Sequence, residues 1–97
     1  MLHFTVIKSW QHKGLKKFYL TGDKSGIMAE HAHRLKTILQ FLDAATSPNQ
    51  LNLPSFGYHK LKGEYKNFYA ITVRSNWRII FGFDEEDAIL VNYLDYH

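Results

Sequence analysis

Apolar positions along the chain change their period twice. Phe4, Val6 and Ile7 read as part of a short strand over residues 3–8. From Ser9 or Trp10 to about Leu20 the spacing becomes helical. Leu15, Phe18 and Tyr19 fall at i, i+3 and i+4, while Lys13, Lys16 and Lys17 face away. Ser9 is the expected N-cap and Gly22 the expected left-handed residue after the last turn. Gly14 weakens this helix by about 1 kcal/mol against Ala if it lies in the interior. Met28, Ala32, Leu35, Leu39 and Leu42 then repeat at i, i+4, i+7, i+11 and i+14, with Ile38 and Phe41 broadening the stripe. They predict a second helix from about Met28 to Ala44 or Ala45, with one face on a sheet. Residues 46–50 have loop chemistry, and Leu51, Leu53 and Phe56 are expected to tuck that loop onto the core.

Beyond Gly57 the period shortens to that of strands. The expected strands cover Tyr58 to Leu61, Phe68 to Arg74, Trp77 to Phe83 and Ala88 to Tyr93, with turns at Ser75-Asn76 and at Asp84 to Asp87. Ile71 and Val73 must share the helix-covered face with Trp77, Ile79, Phe81 and Phe83. All six are odd-numbered, so the hairpin is expected to have an odd number of loop residues. A three-residue loop with Asn76 left-handed would supply it. Arg74 and Arg78 then fall together on the opposite face with Ala70, Thr72 and Ile80. Two guanidiniums there repel unless an anion such as a phosphate lies between them.

With 97 residues the chain is read as one domain spanning 1–97. Seven Phe, six Tyr and two Trp can close a small core. The absence of cysteine excludes disulfides and thiolate metal sites. The first residues are too few and too polar for a signal peptide, and no apolar run approaches the ~20 residues of a membrane span. A cytoplasmic protein is expected. The formal charge is +3, unevenly placed. Residues 55–82 hold Lys60, Lys62, Lys66, Arg74 and Arg78 against the single acid Glu64, whereas residues 83–97 hold five acids and no base. The middle segment is therefore a candidate anion-binding surface.

The groups available for chemistry are His59, Lys62, Lys66, Arg74, Arg78, Tyr93, Asp95, Tyr96 and His97. They match the needs of RNA cleavage by the neighbouring 2′-OH: a base for the hydroxyl proton, cations for the phosphate, and an acid for the leaving 5′ oxygen. That chemistry requires no metal or other cofactor. His31 and His33 lie about 200° apart on a helix, cannot share a metal, and read as ordinary surface or boundary histidines.

Five segments carry a family resemblance: residues 12–17, residues 25–27, His59-x-Leu61-Lys62-Gly63, residues 71–79 with their Arg74-x-Asn76-Trp77-Arg78 run, and the ending Asn92-Tyr93-x-Asp95-Tyr96-His97. In this order and spacing the sequence resembles HigB toxins of the RelE/ParE toxin–antitoxin superfamily. The resemblance implies an α+β, RelE-like microbial ribonuclease fold, with two helices on one face of a curved, mainly antiparallel sheet of four or five strands. It implies cleavage of mRNA in the A site of the 70S ribosome and neutralisation by a HigA-type helix-turn-helix antitoxin. Binding to operator DNA would run through that antitoxin. Carried over by position, His59, Lys62, Asp95, Tyr96 and His97 match the catalytic set. Arg74 and Arg78 match basic residues of the same concave face, and Lys66 and Tyr93 complete the expected substrate contacts. Glu64-Tyr65-Lys66 departs from the Asp-Arg pair that relatives carry after Lys-Gly, so Lys66 would supply the charge one position later. Two rival functions are a ParE-like gyrase poison, against which the Lys62, Arg74, Arg78 and His97 set argues, and a basic RNA-binding module without catalysis.

Overall fold

The computed structural model describes residues 7–96. Its elements are helix α1 (Lys13–Thr21), helix α2 (Ala32–Ala44), and strands β1 (His59–Lys60), β2 (Tyr69–Arg74), β3 (Trp77–Asp84) and β4 (Asp87–Asp95). The strands form one antiparallel sheet in the order β1-β2-β3-β4. This is the expected α+β arrangement: Leu15 and Phe18 of α1, and Leu35, Ile38, Leu39 and Leu42 of α2, bury against Ile71, Val73, Ile79, Phe81, Val91 and Tyr93 of the sheet. Among the described residues no helix is long and apolar enough to cross a membrane.

Of the first expected strand, residues 3–6 lie outside the described residues. Ile7 and Trp10 form isolated parallel bridges with Ala88 and Val91 along β4. Lys8 N–H and Gln11 N–H donate to the carbonyls of Ala88 (2.7 Å) and Val91 (2.8 Å). This ladder delays α1. Ser9 is not its cap, because its hydroxyl accepts from Leu90 N–H at 2.8 Å. His12 caps instead, its Nδ1 accepting from Leu15 N–H at 2.9 Å. Gly22 closes the helix at φ 85°, as expected. A 3₁₀ turn, Ala29–His31, precedes α2, so the α-helix begins four residues after the expected Met28. Phe41 is 48% exposed. It lies beside the buried stripe and meets Phe56 edge-on, ring centroids 5.6 Å apart.

The odd residue demanded by the hairpin is present, but inside β2 and not in the turn. Arg74 pairs with Trp77 across a two-residue turn, in which Ser75 takes φ 53°. The register shifts between Thr72 and Arg74, leaving Val73 as a bulge that still reaches the core. A second shift, between Ile80 and Gly82, is absorbed in β4, where Leu90 adopts φ 52°.

Candidate active site

The face of the sheet turned away from α1 and α2 is assembled rung by rung. His59 lies opposite Ala70, Ala70 opposite Ile80, and Ile80 opposite Asn92. Directly opposed residues share a face, so His59 stands on the helix-free side. The next rung is Thr72, Arg78 and Leu94. By strand spacing, the His59 and Arg78 backbones lie roughly 12 Å apart, a gap that their side chains and a bound phosphodiester can span. This face is less purely charged than its sequence suggests. Leu61, Ala70 and Ile80 form a second small core, covered by Tyr65, Phe68, Leu94 and Tyr96.

His59 is exposed and has a fixed orientation. Its Nδ1 lies 2.9 Å from the Gly57 carbonyl oxygen. A carbonyl only accepts, so Nδ1 carries the hydrogen, and in the neutral ring Nε2 presents a lone pair. Gly57 is required at that bend: its φ is 59°, and a Cβ would fall 2.6 Å from Thr72 Oγ1. Lys62 and Lys66 flank the 3₁₀ turn Gly63–Tyr65, both exposed. Within that turn Tyr65 meets Tyr96 edge-on at 6.1 Å. Tyr96 N–H donates to the Asn76 carbonyl (2.8 Å), so the C-terminal end of β4 stays tied to the β2–β3 turn through residue 96. Asp95 ends β4 opposite Trp77 and is exposed. His97 lies outside the described residues.

Two expected substrate contacts are placed differently. Tyr93 belongs to the opposite face. It is buried in the helix-side core, where its hydroxyl meets His31 Nδ1 at 2.6 Å and accepts from Met28 N–H at 3.4 Å. Its odd position puts it in line with Val91 and Ile79, and burial pushes its phenol pKa up. The arginines are not a matched pair. The bulge at Val73 sets Arg74 opposite Trp77, which packs on the helix-side core, while Arg78 stands opposite Thr72, so the two arginines expected on one face lie on opposite ones. Arg74 is exposed at the hairpin end. Arg78 turns its Nη1 onto the carbonyls of Ser75 and Trp77. Its Nε is buried and has no hydrogen-bond partner among the described residues. Part of this guanidinium therefore braces the turn.

Four supporting groups escaped the sequence reading. His31 is only 3% exposed, packed edge-on against Trp77 and Tyr93. It is a core histidine, contrary to the surface role expected for it. The buried Asp43 accepts from Tyr19 Oη (2.9 Å) and Ile7 N–H (3.4 Å), joining α2 to α1 and to the segment beside β4. Its place within the apolar stripe of α2 was the one available signal. Arg34 and the His12 cap carried none. A concavity of about 660 Å³ between α1 and α2, lined by Phe18, Leu20, Lys24, Ala32, His33 and Lys36, contains none of the site residues.

A family described as the RelE-like toxin of type II toxin–antitoxin system HigB matches residues 8–97. The chain is similar to Endoribonuclease HigB of Proteus vulgaris, with 45% identity over 92 residues that cover 95% of this chain and 100% of that protein. A match across both helices, the whole sheet and the tail leaves no element unaccounted for, and the chain belongs to the HigB-like toxins of type II toxin–antitoxin systems.

Proposed function

We propose that this toxin is an endoribonuclease that cuts mRNA in the A site of the translating ribosome and so arrests growth. The observation that carries the reading is His59, exposed on the helix-free face with Nδ1–H engaged by Gly57 and Nε2 left to accept a proton. Nε2 takes the proton of a ribose 2′-OH. The freed oxygen attacks the adjacent phosphorus, forming a 2′,3′-cyclic phosphate as the bond to the 5′ oxygen breaks. Lys62 and Lys66 offer exposed positive charge to the phosphate, and Arg78 adds charge from beside the turn. Tyr96 or His97 returns a proton to the departing 5′ oxygen, and Asp95 orients an imidazole. Side chains alone supply this chemistry. Membership in the family gives the toxin an antitoxin partner. The finer reading is a HigA-type helix-turn-helix protein that carries the pair to operator DNA, in the cytoplasm.

The test is cleavage of mRNA on programmed 70S ribosomes by the purified chain. His59→Ala should slow cleavage by about 10²- to 10⁴-fold, the usual contribution of a positioned base. Cleavage by this variant at the unchanged rate would overturn the assignment. Similarity to an endoribonuclease along the whole length supports RNA over gyrase as the target.

A further inference from the structure

His59 owes its orientation to a bend that is itself held from the other side of the sheet. Residues 55–57 contain two left-handed positions, Ser55 at φ 72° and Gly57 at φ 59°. Such a bend is not self-supporting, because a side chain in that region crowds its own backbone. Three contacts hold it. Thr72 N–H donates to the Phe56 carbonyl at 2.8 Å, tying the bend to β2. Arg34, near the start of α2, donates through Nη2 to the Ser55 carbonyl (2.6 Å) and to the Thr72 carbonyl (3.0 Å). Its guanidinium also lies over the buried Phe56 ring, 5.1 Å from the centroid. One planar cation thus joins the bend, β2 and α2. The next residue in the chain after this clamp is Gly57, whose carbonyl accepts from His59 Nδ1–H.

We propose that Arg34 is a positioning residue for the cleavage reaction: it fixes the Ser55–Gly57 bend so that the Gly57 carbonyl selects the His59 tautomer with a bare Nε2. This rests on His59 acting as the base. Arg34 touches no substrate and lies on the helix side of the sheet. Two separate oxygens and a ring face require a planar fork, which an ammonium does not reproduce. Losing the fork frees the bend, the Gly57 carbonyl leaves the imidazole, and His59 samples the tautomer in which Nε2 holds the hydrogen.

The experiment compares the full chain with Arg34→Met, which keeps the length and the apolar stem, and with Arg34→Lys, which keeps the charge. Ring ¹⁵N spectra of His59, recorded above its titration, should show Nδ1–H in the parent chain and a mixture of tautomers in Arg34→Met. On ribosomes kcat should fall about 10- to 100-fold, the scale of a misplaced group, with KM within about two-fold. Arg34→Lys should lie between. If Arg34→Met does not fold, Arg34→Gln serves, and the same mixed tautomer is expected of it. An unchanged Nδ1–H tautomer in whichever variant folds overturns the proposal, as does a loss of cleavage that only follows the folded fraction. The tautomer measurement needs no catalysis. Full cleavage by His59→Gln would therefore sink the role of His59 as base without touching the link from Arg34 to its imidazole.

Discussion

Gly14 and His12 show how single residues are set by neighbours distant in sequence. Helix propensity alone makes Gly14→Ala worth about 1 kcal/mol of added stability. A Cβ at that position, however, would lie 2.8 Å from the Gly26 carbonyl oxygen and 2.9 Å from its Cα, and backbone does not yield as a side-chain tip does. The expected outcome is destabilisation by about 1–3 kcal/mol, read from the urea midpoint. His12 gives a pH dependence of definite sign. Its Nδ1 lone pair is spent on Leu15 N–H, and burial holds its pKa below the ordinary value of 6.5. Between that ordinary value and the lowered folded one, the unfolded chain binds more protons than the folded chain. Stability is thus complete above the ordinary pKa, falls as pH drops through the window, and levels once both states are protonated. Urea titrations from about pH 8 to pH 5 should show this slope, and His12→Asn, which keeps a capping acceptor, should flatten it.

Strands and helices were legible in the sequence wherever their period was strong. The stripe of α2 predicted the burial of Ala32, Leu35, Ile38, Leu39 and Leu42 but also included Met28 and Phe41, which are exposed, and Gly22 predicted the end of α1. Parity along β2 and β3 demanded an odd residue, yet parity counts residues without locating them. Whether the extra one sits in a loop or a bulge depends on how Val73 packs on the helices, which no local pattern records. The same limit moved Tyr93. Its chemistry suited a phosphate, and only its alternation with Val91 argued for the core. Tyr93→Phe tests this placement. It removes the hydroxyl partner of His31 Nδ1 and Met28 N–H, and should cost about 1–3 kcal/mol by denaturant titration while sparing per-molecule cleavage. His59 and Lys62 were singled out by residue type and family resemblance, Lys66 by residue type alone, and all three are exposed. Arg34 was not, because a base near the start of a helix looks like any solvated charge until the bend it grips is in view.

Charge is partitioned across the molecule as a whole. Lys8 reaches Asp84 (3.9 Å) and Asp87 (3.7 Å) at the β3–β4 turn, exposed contacts of little energetic weight. Lys62 and Lys66 remain exposed beside the proposed RNA face. Affinity of the cleavage-deficient His59→Ala chain for single-stranded RNA should therefore fall steeply with salt. Lys62→Ala and Lys66→Ala should each reduce the log–log slope by about 0.7, measured by fluorescence anisotropy.

The segment from Ile7 to Gln11 has a further consequence. It lies along the outer border of β4, the longest strand, while β1 offers only two paired residues at the other border. Among the described residues, neither rim presents a long row of unclaimed amides on which another chain could zip, which disfavours backbone-to-backbone stacking of copies at both margins.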